Sequence, residues 1–210
     1  MANCPLCGSN HTESYFSNKD SKYFTCSECE LVFSPDEFHL NETEEKSRYD
    51  LHRNNPKDER YRKFLSKIFN PVLRYLSPGD VGLDFGSGPG PTLSLMFSEQ
   101  GYKVDLFDKF YANNESIFNN KYNFITSSEV VEHLDNPGVE LNRLFNMLDN
   151  GGVLAIMTQM LNSDIDFSSW HYKDDPTHIC FFSKNTMKYL AKSWQVDVSF
   201  YGGDVVLFFK

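Results

Sequence analysis

The stretch Val81-Gly-Leu-Asp-Phe-Gly-Ser-Gly-Pro-Gly90 decides the fold of this chain. An apolar run passes into alternating glycines, and Pro91 follows where a helix would begin, which suits its fixed φ and missing N–H. Such glycines let a ligand lie against bare backbone, with amide N–H groups and a helix N-terminus facing it. The stretch therefore predicts a cofactor loop at the carboxyl end of a first parallel strand. The residues expected to contact the cofactor are Asp84, Gly86, Ser87, Gly88 and Gly90.

Two acidic residues indicate which cofactor suits the loop. Pro91 stands where a dinucleotide-binding fingerprint has Gly or Ala. Asp84 would repel a diphosphate but suits a ligand that carries an amino group or a sulfonium. Residues 102–108 read as a second strand that ends in Asp108, an acid that can accept both hydroxyls of a ribose. Two carboxylates without a phosphate-binding lysine favour S-adenosylmethionine; the alternative is a flexible turn with a solvated aspartate.

These residues resemble the motifs of the class I S-adenosylmethionine-dependent methyltransferases over residues 81–210. The resemblance implies a methyltransferase with a Rossmann-like α/β fold, in which Asp84 helps to hold the methionine amino group and Asp108 the ribose diol. Helices before the first strand commonly close over the cofactor in this superfamily, which implies contacts from Tyr49 and His52. The segments 129–133 and 170–178 resemble a bacterial subgroup that often carries an N-terminal zinc ribbon. No single reaction follows from that subgroup.

Residues 1–40 themselves read as a zinc ribbon. Two Cys-x-x-Cys pairs, separated by eighteen residues, supply Cys4, Cys7, Cys26 and Cys29. Each pair forms a tight knuckle that directs two thiolates at one tetrahedral ion. A unit of this size buries little core, so the metal supplies its folding free energy. Four sulfur ligands close the site, so its zinc is expected to be structural. The ribbon then either caps the main domain or recognises a substrate or partner.

Strands alternate with helices after residue 80, which predicts an α/β domain with a mostly parallel sheet at 81–210, preceded by a helical linker or lid at 41–80. The patterns predict strands at 81–86, 102–108, 122–127 and 153–160, helices at 58–76, 91–100, 138–149 and 184–193, and a terminal antiparallel hairpin formed by 195–201 and 204–209. Only thirteen residues separate Asp108 from Tyr122, too few for the usual helix, strand and helix. The third-strand region is therefore abbreviated. Residues near 109–111, or Ser127 and Ser128, are expected to replace its adenine contacts.

A cluster of acids and histidines follows the central strand. Glu129, Glu132 and His133 occupy positions i, i+3 and i+4, which share one face of a helix. His178 comes from the loop after the next strand, which should open onto the same sheet edge. Two carboxylates and two imidazoles suit Mg²⁺ or Mn²⁺, which can polarise a hydroxyl. Without a metal, His133 or His178 would serve as a general base.

This Glu-x-x-Glu-His pattern resembles the metal sites of ubiquinone-pathway O-methyltransferases and of small-RNA 3′-end 2′-O-methyltransferases. The resemblance implies Glu129, Glu132, His133 and His178 as ligands, with His171 as a substitute fourth. The same Glu-His pair is frequent in methyltransferases without a metal, where it shapes the pocket or caps a helix.

The composition of the chain limits which binding partners and which cellular compartment are expected. The chain has 40% hydrophobic residues, a net charge of −9, no apolar run of membrane-spanning length and no signal-peptide pattern. Paired cysteines with metal spacing fit a reducing compartment, so a cytoplasmic location is expected. The negative charge argues against broad nucleic-acid binding, although residues 46–74 hold nine Lys or Arg against three Asp or Glu. That segment reads first as a solvated amphipathic helix and second as a face for RNA or another anion.

Three functions remain at this point. The first is O-methylation of a small or medium-sized acceptor, supported by the Glu129, His133 and His178 cluster. The second is methylation of RNA or protein guided by the ribbon. The third is a cofactor-binding adaptor without catalysis. The sequence does not indicate the oligomeric state.

Overall fold

The computed structural model describes residues 2–19, 21–51 and 54–210. His52, a predicted cofactor contact, lies outside the described residues. The strands are β1 (Thr12–Ser17), β2 (Lys22–Cys26), β3 (Val32–Phe33), β4 (Val81–Phe85), β5 (Lys103–Phe107), β6 (Tyr122–Ser128), β7 (Leu148–Met157), β8 (Cys180–Phe181), β9 (Asp197–Tyr201) and β10 (Val205–Phe209). The helices are α1 (Glu42–Tyr49), α2 (Glu59–Leu73), α3 (Thr92–Ser98), α4 (Pro137–Met147) and α5 (Lys184–Trp194).

Six strands form the main sheet in the order β5-β4-β6-β7-β10-β9. The first four are parallel, whereas β10 runs antiparallel to both β7 and β9. This arrangement confirms the predicted mostly parallel sheet with a terminal antiparallel hairpin. Because the carboxyl ends of parallel strands meet at one edge, the loops after β4, β5, β6 and β7 converge there.

The abbreviated third-strand region is also confirmed. Residues 109–121 contain a 3₁₀ turn at Glu115–Asn119 and an isolated bridge that joins Asp108 to Ala112. Strand β5 is therefore the edge of the main sheet.

Apolar side chains alternate along the central strands and build a core on each face of the sheet. On β6, Phe124 packs with α2 and α3, whereas Ile125 faces the core shared with α4 and α5. Strand β7 alternates in the same way, with Val153 on the first face and Leu154 on the second. This period of two is the one that strand geometry requires, and both faces are covered.

Several element boundaries differ from the predictions. Helix α4 ends at Met147 and β7 begins at Leu148, because Leu148 already pairs with Tyr122 of the neighbouring strand. Helix α2 ends at Leu73, three residues before its predicted end. None of the helices in the described ranges has the length and apolar character needed to cross a bilayer.

The N-terminal segment with the four cysteines (residues 2–19 and 21–40), called the ribbon below, contributes three strands to a second sheet. Its strand order is β1-β2-β3-β8, and β8 comes from residues 180–181. Val32 pairs with Phe181 and Phe33 with Cys180. The ribbon cysteines Cys4, Cys26 and Cys29 belong to the same apolar core as α4 and α5. The described part of this segment is therefore packed continuously with the elements that follow it.

Candidate active site

Glycines are required in the loop after β4 because neighbouring segments approach its backbone too closely to leave room for a Cβ atom. Gly86 and Gly88 have φ values of +79° and +64°, a region that disfavours a side chain. A Cβ on Gly86 would lie 2.2 Å from the Val130 side chain, and one on Gly90 would lie 2.0 Å from the carbonyl oxygen of Asn54. The loop is thus enclosed by the segment after β6 and by the segment before α2.

Amides of this loop already have partners within the protein. The N–H groups of Gly86 and Ser87 both donate to the carbonyl oxygen of Phe107, at 2.8 and 3.1 Å. The Ser87 hydroxyl is buried and has no hydrogen-bond partner. The backbone of the loop is therefore held by hydrogen bonds to the end of β5, and the Ser87 hydroxyl is available to bind a ligand or water.

Asp84 is a buried carboxyl at the carboxyl end of β4, only 3% exposed. The Thr126 hydroxyl donates to it at 3.2 Å from the neighbouring position of β6. Burial raises the pKa of Asp84 to about 7, against the lowering effect of hydrogen bonds from Thr126 and the Ser94 backbone. A bound ammonium group would supply the positive charge that keeps such a carboxyl ionised.

Asp108 follows β5 and ties two loops together. Its Oδ2 accepts a hydrogen bond from the Gly88 N–H at 2.8 Å, and its Oδ1 accepts from the N–H groups of Phe110 and Tyr111 at 2.9 and 3.1 Å. A carboxylate has about four acceptor positions, so three are in use. The predicted ribose contact would use the remaining position or displace one of these bonds.

Helix α1 lies over the Asp108 turn. Glu45 accepts from Lys109 Nζ at 3.1 Å, and Asp50 accepts from the Tyr111 hydroxyl at 2.7 Å. The Tyr49 ring lies 5.8 Å from Phe110 and 5.3 Å from the His133 ring. The predicted contact Tyr49 is thus placed between the Asp108 turn and the histidine cluster.

The predicted helix over residues 129–133 is wrong. Glu129 has a left-handed backbone with φ of +53°, and its N–H donates to the Met157 carbonyl at 2.8 Å. Only Val131–His133 form a 3₁₀ turn. The β6–β7 ladder extends to Ser128, and the left-handed turn at Glu129 follows it, so Glu129 does not share a helical face with His133.

Glu132, His133 and His178 form one group, with a ligand atom of each lying within 4.8 Å of the others. Glu129 and the exposed His171 are not members of this group. The Nδ1 atoms of His133 and His178 lie 2.9 and 2.6 Å from backbone carbonyl oxygens of residues 177 and 172. Because a carbonyl only accepts, each Nδ1 carries the proton and each Nε2 keeps its lone pair.

The Glu132 carboxyl is fully buried in this group. Its Oε1 accepts a hydrogen bond from the Tyr172 hydroxyl at 2.5 Å, whereas Oε2 has no partner. Burial raises the pKa of Glu132, and burial beside His133 lowers the pKa of His178. Two imidazoles beside an incompletely paired carboxyl, each member held by outer hydrogen bonds, have the donor chemistry of a metal site.

Two contributors were missed by sequence reasoning. Tyr172 also lies 3.2 Å from the Thr158 hydroxyl and 3.5 Å from Glu129 Oε2, so one phenol connects several groups of the cluster. Thr126 supports Asp84. Thr126 is one of four polar residues in β6, so the sequence does not single it out, and the carbonyl oxygens that orient the histidines have no sequence signal either.

The four ribbon cysteines fit a single tetrahedral ion. Sulfur atoms of Cys4 and Cys29, and of Cys7 and Cys26, are 3.5 Å apart, and all four lie within 4.8 Å of one another. Zinc–sulfur bonds of about 2.3 Å in tetrahedral geometry separate the sulfurs by about 3.8 Å. The donor set therefore suits zinc.

Backbone hydrogen bonds connect the ribbon to the histidine group. The Ser34 N–H donates to the Ile179 carbonyl at 2.8 Å, and the Ile179 N–H donates to the Glu132 carbonyl at 2.8 Å. Ile179 is adjacent to His178 in the chain. The position of His178 therefore depends on a strand that the ribbon holds.

Comparisons with known proteins agree with this architecture. A family described as "Methyltransferase domain" matches residues 57–197. A 1,6-didemethyltoxoflavin-N1-methyltransferase from Burkholderia thailandensis is 12% identical with a TM-score of 0.55, covering 94% of this chain and 97% of that one. A SAM-dependent methyltransferase from Archaeoglobus fulgidus is 17% identical with a TM-score of 0.54, covering 71% and 94%. An O-methyltransferase family protein from B. thailandensis is 13% identical with a TM-score of 0.51, and the match covers 79% of this chain but only 62% of that one. No curated protein sequence matches the chain.

Proposed function

The chain belongs to the methyltransferase-domain family, and from that premise we propose that it transfers a methyl group from S-adenosylmethionine to an oxygen of a small or medium-sized acceptor. The observation that carries the proposal is the Glu132, His133 and His178 group, which lies at the same sheet edge as the glycine loop. Val130, two residues before Glu132, packs against Gly86 of that loop. The group is therefore close enough to act on an acceptor beside the cofactor.

In this proposal the cofactor is held by its two polar ends. Asp84 receives the methionine ammonium, which offsets the burial of its carboxylate, and Asp108 accepts from the ribose hydroxyls. Gly86, Ser87, Gly88 and Gly90 provide a surface without side-chain bulk, while Ser128 and Tyr49 border the site. The low identity of the compared structures supports the fold, so these roles rest on the geometry of this chain.

Methyl transfer from a sulfonium mainly requires alignment of donor and acceptor. An oxygen acceptor must also lose a proton, and a neutral imidazole Nε2 with a fixed tautomer can take it. His133 and His178 both present such an atom. The lowered pKa of His178 keeps it in the neutral, proton-accepting form at neutral pH.

Glu132, His133 and His178 would hold a divalent metal. The sequence pattern predicted Glu129 as a further ligand, but it is not a member of this group. A bound metal would lower the pKa of an acceptor hydroxyl. Two imidazoles and one carboxylate suit Mn²⁺ better than Mg²⁺, which prefers oxygen ligands. We therefore narrow the predicted Mg²⁺ or Mn²⁺ to an imidazole-binding ion such as Mn²⁺. Zinc at the four ribbon cysteines would have a structural role, since that site has no open position.

The cofactor assignment is tested by calorimetric titration with S-adenosylmethionine. Asp84→Ala and Asp108→Ala should each weaken binding, and Asp197→Ala, an exposed acid on β9, is the matched control. Normal affinity in both loop variants would refute the assignment.

The metal assignment is tested separately. Mn²⁺ should bind the zinc-loaded protein, and His178→Ala should abolish that binding while His171→Ala, an exposed histidine of the same segment, should not. Methyl transfer that survives removal of the divalent metal by a chelator, in protein that keeps zinc at the ribbon cysteines, would refute the metal assignment. The histidines would then act only as general bases.

Guidance to RNA has less support from the structure. Several cations of the 46–74 segment are already paired with acids, namely Lys46 with Asp50, Arg62 with Glu99 and Lys67 with Asp204. These pairs reduce the free positive charge that would bind phosphates. Methylation of a protein, and a location in the cytoplasm, stay predictions.

A further inference from the structure

A cavity of about 610 Å³ lies at the carboxyl edge of the sheet on the side of α2, and no role in cofactor binding accounts for it. Its walls come from α2, from the segment after β7, from the turn between β9 and β10, and from Glu129. Ligand pockets of about 300–1,000 Å³ accommodate drug-sized molecules, so a compound of one or two rings fits.

Flat apolar surfaces form most of the wall. Phe64, Trp170 and Tyr201 contribute three aromatic rings, and Met160 and Ile165 contribute aliphatic groups. Rings that line a cavity from different elements favour a planar aromatic guest through stacking and edge contacts.

The charged side chains in the cavity wall carry a net negative charge when both acids are ionised. Lys67 is the only cation among the described wall residues, and its Nζ lies 2.5 Å from Asp204 Oδ2. Lys67 also faces Glu129, so two acids of the wall share one cation. The left-handed backbone at Glu129 holds this carboxyl at the cavity wall. A carboxylate or phosphate on the guest would meet repulsion here, whereas a protonated amine would be attracted.

We propose that this cavity receives the ring of the methyl acceptor, that it binds planar aromatic amines carrying a hydroxyl, with the ammonium group against Glu129, and that it rejects aromatic carboxylates and phosphates. Tyr172, whose hydroxyl contacts both Glu129 and Glu132, connects the cavity to the histidine group. The inference rests on the proposed function in naming the guest as the methyl acceptor. Binding itself is independent of the cofactor and can be measured without it.

The test compares tyramine with 4-hydroxyphenylacetate, which share the phenol ring and differ in the charge of the side chain. Binding is followed by calorimetry and by Trp170 fluorescence, since the other tryptophan, Trp194, is stacked on Phe145 away from the cavity. Tyramine should bind at least about tenfold more tightly than 4-hydroxyphenylacetate, a difference of about 1.4 kcal/mol.

Glu129→Gln should reduce the tyramine preference about tenfold, and the exposed Asp197→Asn should leave it unchanged. Equal binding of the two probes, preference for the carboxylate, an unchanged preference in Glu129→Gln, or no binding of either at millimolar concentration would overturn the proposal. Tyramine binding in a protein that fails to bind S-adenosylmethionine would leave the cavity assignment standing and refute the proposed function. Binding of S-adenosylmethionine without binding of tyramine would refute the cavity assignment and leave the proposed function standing.

Discussion

Replacing Tyr172 with Phe removes one oxygen atom and tests whether Glu132 is organised for function. The Tyr172 hydroxyl donates to Glu132 Oε1 at 2.5 Å, and the second oxygen of that fully buried carboxyl has no partner. The variant therefore leaves Glu132 without a close side-chain donor while the aromatic packing is kept. An unsatisfied buried group costs about 1–3 kcal/mol, which corresponds to a lower Tm by about 2–12 °C in a chain of this length.

Function should change more than stability. Loss of a hydrogen-bond partner of a metal ligand typically weakens metal binding by about 10–100-fold. We therefore expect Tyr172→Phe to reduce Mn²⁺ affinity, and the rate of methyl transfer, by about that factor, with S-adenosylmethionine affinity unchanged. Calorimetric titration with Mn²⁺ and with the cofactor, together with thermal denaturation, measures all three quantities.

Tyr15→Phe is the matched control, because Tyr15 is an exposed tyrosine on the ribbon strand β1. A Tyr172→Phe protein with unaltered Tm and Mn²⁺ affinity would show that the hydroxyl does not organise Glu132. A large Tm loss with normal metal affinity would assign Tyr172 to stability alone.

Asp84→Asn should abolish cofactor binding and stabilise the cofactor-free protein at pH 8 by up to about 4 kcal/mol. Because the pKa of Asp84 is raised to about 7 in the folded protein, ionisation of this carboxyl lowers the free energy of unfolding progressively as pH rises from about 4 to 7. Thermal denaturation at pH 5 and pH 8 checks this, and the idea fails if wild type is not the less stable protein at pH 8. Gly90→Ala places a Cβ 2.0 Å from the Asn54 carbonyl and should weaken cofactor binding, whereas Gly203→Ala meets nothing within 4 Å and should not; equal affinities would contradict the enclosed loop. Structural zinc typically contributes about 10–16 kcal/mol of folding free energy. Chelation of the zinc proposed at the four cysteines should therefore accelerate hydrogen exchange at the Ile179 amide sharply, and unchanged protection there would show that the ribbon does not support β8.

Short-range features were predictable because their chemistry is local. The glycine loop, the acid at the end of β5 and the two cysteine pairs are defined by spacing within a few residues. The parallel strands and the terminal hairpin follow from apolar period and from Gly202 and Gly203 between two strands. Even the abbreviated third-strand region follows from counting residues, since a helix and a strand need a minimum length.

Long-range contacts decided the rest. Spacing alone placed Glu129 with Glu132 and His133 on one helical face, but the β6–β7 ladder extends to Ser128 and Glu129 adopts a left-handed turn in the wall of the cavity beside α2. Nothing in the sequence shows that β8 completes the ribbon sheet or that distant carbonyl oxygens set the tautomers of His133 and His178. Sequence determines which chemical groups are available, whereas backbone pairing between distant segments determines which of them meet, because hydrogen-bond ladders carry no side-chain signature.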